Sequence, residues 1–181
     1  MNKNLKKMIM ITIYVALALV LDFVKEMIPF LNMPQGGSIN IALIPVVILS
    51  FHFGVKEGMM GGMLWWLISS ILGLNKWFVS VPQYVVDYIL PSVLPGMAAM
   101  FYRRKNVYEA EAGILTSMLI RTLMLVISGA YFWPDGVAAG SAPAWTASLA
   151  YNLPYSIATT VMLMIVVPLL LKTIDFKRYT L

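Results

Sequence analysis

Long runs of apolar residues set the strongest constraint on the fold of this chain. A helix that spans a bilayer needs about 20 consecutive, mostly apolar residues. Six segments meet this description: Met8–Phe30, Ser38–Phe53, Gly58–Leu74, Val81–Tyr102, Gly113–Trp133 and Thr146–Lys172. Only loops remain once these segments are placed. We therefore expect an all-α integral membrane protein that forms a single membrane domain over residues 1–181.

The composition agrees with a membrane protein and excludes several classes of function. Hydrophobic residues make up 60% of the chain and charged residues only 12%, whereas soluble domains carry about 25% charged residues. A soluble enzyme and a nucleic-acid-binding protein are therefore excluded. The chain has no cysteine and one histidine, so we expect no disulfide, no metal site and no cofactor. It has no phosphate-binding Walker pattern, so any ATPase that drives it must be another chain.

The basic residues predict the orientation in the membrane. Ten of the 13 fall at the two termini or in alternate connections: Lys3, Lys6, Lys7, Lys56, Arg103, Arg104, Lys105, Lys172, Lys177 and Arg178. The loops on the opposite side hold only Lys76. Because basic residues are concentrated on the cytoplasmic side of membrane proteins, we expect both termini in the cytoplasm.

A second pattern in the sequence concerns small residues. Gly54, Gly58 and Gly62 recur every four residues. Small residues at this spacing let neighbouring helices approach closely, so we predict that these glycines pack inside the protein.

Ionisable residues at membrane depth are the candidates for function, because each costs free energy there unless it faces a cavity or a partner. Asp87 lies six residues below the outer end of the fourth segment, which is about 9 Å in. We expect Asp22 to pair with Arg121, although Lys25 is also within reach of Asp22 on the same helix. A structural pair between Asp87 and Arg121 is the alternative that would remove the functional role of Asp87.

Polar and aromatic residues accompany Asp87. Gln83 and Tyr84 share its helix face, and Tyr88 flanks it. The sixth segment carries a stripe of similar character at helical spacing: Ser148, Tyr151, Asn152 and Tyr155. Trp77 and Trp133 lie near the outer surface. If these faces converge, they form an outward-facing pocket for a small, flat, cationic ligand. The alternatives are that the tryptophans are interfacial anchors and that Asn152 bonds a neighbouring helix.

Four parts of the sequence occur in the same order as in a known transporter family. They are MPQGGS at Met33–Ser38, GVKEGMMGG at Gly54–Gly62, QYVVDY at Gln83–Tyr88, and ISGAYFW at Ile127–Trp133 with SLAYN at Ser148–Asn152. Together they make the chain resemble the thiamine-specific S components (the ThiT family) of energy-coupling factor (ECF) vitamin transporters.

This resemblance implies a fold, a location and a set of partners. The fold would be that of an S component, with six transmembrane helices in a bacterial plasma membrane. Thiamine would be captured from outside in a pocket between helices four, five and six. The first loop, with Gln35, Gly36 and Ser38, would cap this pocket. Uptake would require a transmembrane coupling subunit and two ATPase subunits, and the S component would topple in the membrane to deliver the ligand.

The resemblance also implies roles for individual residues. Asp87 would meet the thiazolium charge with Gln83 and Tyr88 beside it, Trp133 would stack on the ligand, and Asn152 would bond the aminopyrimidine.

The resemblance also bears on two features outside these contacts, the coupling motif and the choice of ligand. Thr12 and Ala16 on the first helix take the place of the family's small-residue coupling motif. Leu125 occupies a position where the family commonly has histidine, so a thiamine-related precursor or another small vitamin stays open as the ligand.

Two hypotheses from other classes remain. An intramembrane enzyme could use Asp22 and Asp87 as a pair of carboxylates, which requires the two groups within hydrogen-bond reach. A purely structural subunit would have no cavity beside Asp87.

Overall fold

The computed structural model describes residues 3–103 and 106–173. Six helices follow one another in this part of the chain: α1 (Lys3–Glu26), α2 (Leu43–Phe53), α3 (Val55–Ile71), α4 (Val81–Phe101), α5 (Val107–Phe132) and α6 (Ala142–Thr173). The described residues contain no strand, only a single β-bridge between Asn32 and Ser38. Of the basic residues used above to predict orientation, Arg104, Lys105, Lys177 and Arg178 lie outside the described residues.

Four of these helices, α1, α4, α5 and α6, are long and apolar enough to cross a membrane. With 11 and 17 residues, α2 and α3 are shorter. The all-helical class is therefore confirmed for the described residues, whereas the crossing of the membrane by all six helices stays a prediction.

Several helix ends differ from the predicted bounds for local reasons. Helix α1 ends at Glu26 rather than Phe30, because Pro29 starts a separate 3-10 turn that ends at Leu31. Helix α2 begins at Leu43 rather than Ser38. The Asn40 side chain accepts a hydrogen bond from the Ala42 amide (3.0 Å) and so favours a turn before the helix. Helix α5 begins at Val107, where Asn106 caps the Glu109 amide (2.9 Å).

Helix α4 changes its winding along its length, and this positions Asp87. It starts with one α-helical turn, widens to a π-helical turn at Val85–Ile89, and ends as a 3-10 helix over Leu94–Phe101. In the widened turn the Leu90 amide bonds to the Val85 carbonyl, five residues back. Pro91 has no N–H to give to the carbonyl of Asp87, so the regular ladder cannot continue there. Such widened turns occur often at functional sites.

The apolar core surrounds α2. Leu43, Val47 and Leu49 on this helix have no exposed surface, and Val46 is almost fully buried. Residues of α5 and α6 in the same core cluster include Ile114, Met118, Leu163 and Val167. A helix that is apolar on all sides is a buried one, which explains why the shortest helix lies in the middle of the bundle.

Two of the three predicted packing glycines lie where α3 meets α4. A Cβ on Gly62 would overlap the Ser92 carbonyl oxygen, and one on Gly58 would overlap the Gly96 carbonyl oxygen and Ser50. Close packing is therefore confirmed at Gly58 and Gly62. It is wrong for Gly54, which ends α2 with a φ of 111° that favours glycine.

Adjacent glycines of α3 provide a matched test of this packing. We expect Gly62→Ala to lower the free energy of unfolding by about 1–3 kcal/mol, because the new methyl group meets rigid backbone of α4. Gly61→Ala serves as the control, since its methyl group would meet side chains and no backbone, chiefly the end of the Leu49 side chain, which can change rotamer. Thermal unfolding in detergent measures both variants. Equal melting temperatures for the two would contradict the predicted packing.

Candidate ligand-binding site

One cavity of about 730 Å³ lies among the described residues, bounded by α1, α3, α4, α5, α6 and the loops at their ends. Nine of the predicted site residues line it: Gly36, Ser38, Trp77, Asp87, Tyr88, Trp133, Tyr151, Asn152 and Tyr155. Gln83 and Tyr84 are not among the lining residues. The side chain of Gln35 lies outside the described part of the structure. The cavity excludes the hypothesis of a subunit packed solid around Asp87.

Asp87 presents its carboxylate to this cavity with only neutral donors on it. Its Oδ2 atom accepts hydrogen bonds from Gln83 Nε2 (2.8 Å) and Trp133 Nε1 (3.3 Å). None of the ion pairs among the described residues includes Asp87. Hydrogen bonds from neutral groups stabilise a carboxylate without cancelling its charge. The carboxylate of Asp87 is thus open to an ion pair with a ligand, because no described residue forms one with it.

The second acidic group at membrane depth, Asp22, is neutralised within the protein. Lys25 Nζ lies 2.8 Å from its Oδ1 atom, and Oδ2 accepts bonds from Trp65 Nε1 and Ser69 Oγ, both at 3.2 Å. The predicted pair between Asp22 and Arg121 is therefore wrong, and the Lys25 alternative is confirmed. Lys25 pairs with Asp22 because it lies one turn along the same helix. Helix α3 supplies the other two hydrogen-bond donors to the Asp22 carboxylate.

Arg121 is a buried cation at the wall of the cavity. Its Nε atom donates to the Pro91 carbonyl (3.1 Å), so it joins α5 to the irregular part of α4. One of its terminal nitrogens is buried and has no hydrogen-bond partner among the described residues. No ion pair within 4.0 Å joins it to Asp87 in this part of the chain, which removes the alternative of a structural Asp87–Arg121 pair.

Helix α6 contributes an ordered polar face. Asn152 Nδ2 donates to the Ser148 carbonyl (2.9 Å) and to Ser148 Oγ (3.2 Å), and its Oδ1 atom accepts a bond from Tyr155 Oη. Ser148 Oγ in turn donates to the Val126 carbonyl on α5 (2.7 Å). Gly129 leaves the space that Ser148 fills. The amide of Asn152 is therefore held at a fixed angle in the cavity wall. The alternative that Asn152 bonds a neighbouring helix is wrong, because its hydrogen bonds among the described residues stay within α6, and Ser148 makes the bond to α5.

The first loop covers the cavity beside α6. Tyr151 Oη accepts a bond from the Gly37 amide (2.9 Å) and donates to the Pro34 carbonyl. The base of the loop is closed by the Met33 amide on the Gly37 carbonyl (2.7 Å). Trp77, from the loop between α3 and α4, packs against Gly36 and meets the edge of Trp133 with ring centres 6.4 Å apart.

The charges that line the cavity sum to one negative charge. Four of its lining residues are acidic and three are basic: Asp22, Glu26, Asp87 and Asp135 against Lys25, Lys76 and Arg121. Aromatic rings supply much of the remaining wall, which suits stacking and cation–π contact. No group of residues that could hold a metal ion occurs in the described ranges. The arrangement fits a flat ligand with a single positive charge.

The part of the cavity formed by α3 and the loop after it was not predicted from the sequence. Trp65, Trp66, Ser69, Asn75 and Lys76 all line it. A signal was present, because Trp65 and Ser69 are four residues apart and so share one face of a helix. Nothing in the sequence showed that this face is turned toward Asp22.

The coupling residues predicted on α1 lie away from the cavity. Thr12 and Ala16 are both exposed on the outer surface of the helix, and neither lines the cavity.

Comparison with known proteins places this architecture in a family. The family model described as thiamine transporter protein (Thia_YuaJ) matches residues 8–178. The thiamine transporter ThiT of Bacillus subtilis (strain 168) is 34% identical over an alignment of 183 positions that covers 95% of this chain and 93% of that protein. A solved structure of ThiT from Listeria monocytogenes has the same fold, with a TM-score of 0.81 over 98% of this chain and 99% of that chain at 22% identity.

These matches are to transporters, so the hypothesis of an intramembrane enzyme that uses Asp22 and Asp87 is wrong, and the resemblance seen in the sequence is confirmed. This chain belongs to the thiamine transporter protein family (Thia_YuaJ).

Proposed function

We propose that this chain is the substrate-binding S component of an ECF transporter and captures thiamine from outside the cell for ATP-driven uptake. The observation that carries the proposal is the carboxylate of Asp87, which faces an aromatic cavity without a cationic partner among the described residues. Thiamine is a monocation with two flat heterocyclic rings joined by a methylene group, and the lining charges sum to one negative charge. The family and the named relative, both thiamine transporters, support the same ligand.

Different lining residues contact different parts of thiamine. Asp87 balances the charge of the thiazolium ring, and Trp133 and Tyr88 offer faces for stacking. Asn152, fixed by Ser148 and Tyr155, orients the aminopyrimidine. The first loop and Trp77 cover the bound ligand.

The predicted topology places this cavity on the outside of the membrane. Both termini lie in the cytoplasm of a bacterial cell by the distribution of basic residues, and the chain acts as a single membrane domain. Because the sequence has no nucleotide-binding pattern, energy comes from a transmembrane coupling subunit and two ATPase subunits. Thr12 and Ala16, exposed on α1, give a coupling subunit a close approach, and toppling of the S component delivers the ligand.

A thiamine-related precursor is the second candidate ligand, favoured by one observation. Leu125 lines the cavity and is 7% exposed, so the wall is apolar at that point and offers no hydrogen bond. A ligand with no polar group facing Leu125 leaves no hydrogen bond unmade there, so the apolar wall does not weaken its binding.

The carboxylate of Asp87 is tested by Asp87→Asn, which keeps the size of the side chain and removes its charge. We expect the affinity for thiamine to fall by at least about 100-fold, because a buried charge pair loses one partner. Quenching of intrinsic tryptophan fluorescence measures the affinity. Glu111→Gln, which makes the same change outside the cavity lining, is the matched control. An unchanged affinity in Asp87→Asn would contradict the proposed role of this residue.

A comparison of ligands separates thiamine from its precursor. The neutral pyrimidine half of thiamine, 4-amino-5-hydroxymethyl-2-methylpyrimidine, lacks the charge that Asp87 recognises. We expect the wild-type protein to bind thiamine at least about tenfold more tightly, and we expect Asp87→Asn to lose this preference. Equal binding of the two compounds by the wild-type protein would contradict recognition of the thiazolium charge, and tighter binding of the pyrimidine would favour the precursor as the physiological ligand.

The coupling surface is tested by Ala16→Leu. A larger side chain on a small-residue surface prevents close approach of a partner helix, so we expect normal thiamine binding and a loss of most uptake. Uptake is measured in cells that also produce the coupling and ATPase subunits. Ala150→Leu, the same change at an exposed position of α6, is expected to leave uptake intact. Full uptake by Ala16→Leu would exclude this surface as the coupling site.

A further inference from the structure

The side chain of Gln83 lies behind Asp87 rather than in the cavity wall. It has no exposed surface. Its Nε2 atom donates to Asp87 Oδ2 (2.8 Å) and to the Trp77 carbonyl (3.3 Å), and its Oε1 atom accepts a bond from the Val79 amide (3.2 Å). An amide side chain has two N–H donors and one carbonyl acceptor. Both donors and the acceptor of Gln83 are therefore engaged, two of them on the α3–α4 loop (Asn75–Ser80).

The α3–α4 loop carries Trp77 at the mouth of the cavity. The ring of Trp77 is half exposed, packs against Gly36 of the first loop and meets the edge of Trp133. The Trp77 amide also donates to Tyr88 Oη (3.2 Å). The loop backbone is thus tied to α4 by both Gln83 and Tyr88. Of the residues in these contacts, Trp77 and Tyr88 line the cavity, whereas Gln83 does not.

We infer that Gln83 is a positioning residue that fixes the Asp87 carboxylate and the α3–α4 loop relative to each other, so that Trp77 cannot leave the mouth of the cavity without disturbing Asp87. The reason is the burial of the amide. If the loop moves outward, Gln83 either stays and leaves buried polar atoms unpaired, or follows and withdraws its donor from Asp87. A ligand cation that stabilises the present orientation of Asp87 therefore also stabilises the covered state, and the linkage is reciprocal.

This inference rests on the proposed function, since it takes Asp87 as the group that meets the cation. It goes beyond that proposal by giving Gln83 a role without contact to the ligand. It predicts an effect on how long the ligand stays, rather than only on the strength of one contact.

The decisive variant is Gln83→Met, which keeps the length of the side chain and removes its donors and acceptor. We expect thiamine to dissociate at least about tenfold faster, measured by stopped-flow tryptophan fluorescence on displacement of bound thiamine. Thr122→Val, which removes a side-chain hydrogen bond from α5 (Thr122 Oγ1 to the Met118 carbonyl, 2.8 Å) away from the cavity lining, is the matched control and is expected to leave the dissociation rate unchanged.

A double-mutant cycle separates positioning from a general loss of stability. If Gln83 acts through the α3–α4 loop, Gln83→Met has little further effect on the dissociation rate when Trp77 is already replaced by alanine. A role in stability alone would accelerate dissociation by the same factor in both backgrounds, and that result would overturn the inference.

A measurement without ligand completes the test. Hydrogen exchange of the Val79 amide is expected to accelerate at least about tenfold in Gln83→Met, because the acceptor of this amide is lost.

If Gln83→Met does not fold, Gln83→Asn takes its place with the same expected results, because its shorter side chain cannot reach both Asp87 and the loop. Failure of the wild-type protein to bind thiamine would count against the proposed function. Normal thiamine binding with unchanged dissociation and unchanged Val79 exchange in the variant would overturn this inference alone.

Discussion

The rest of the site depends on one buried carboxylate that has no ion-pair partner within 4.0 Å among the described residues. Asp87 is held by the neutral N–H groups of Gln83 and Trp133. These donors lower the free-energy cost of burying the charge, and yet they leave its field to act on whatever enters the cavity. A cationic partner within the protein would have made the same residue a structural element.

Asp22 shows what that other outcome looks like. It lines the same cavity and is also an aspartate at membrane depth, but Lys25 neutralises it and α3 supplies two more donors. Two residues of one type thus serve two purposes, and the difference lies in the charge of their partners. This division explains how the cavity can be rich in ionisable groups while only one aspartate at this depth lacks a cationic partner within 4.0 Å among the described residues.

The packing of α4 brings the carboxylate into place. The glycines of α3 let the α4 backbone approach closely at Ser92 and Gly96. Pro91 interrupts the regular ladder, and Arg121 donates to its carbonyl, so the widened turn at Val85–Ile89 is fixed against both α3 and α5. The same turn carries Asp87 and Tyr88, which both line the cavity. The local irregularity of the helix is therefore part of the site.

The sequence by itself determined the helical class, the positions of the apolar segments and the candidate residues on α4 and α6, because helical periodicity shows which residues of one segment share a face. It could not show which faces meet. Three features depend on contacts between residues 3 to 47 positions apart: the partner of Asp22, the contribution of Trp65 and Ser69 to the cavity, and the place of Gln83 behind Asp87. The tertiary structure alone decided these, because the neutralisation of a buried charge depends on which donors packing brings within hydrogen-bond distance.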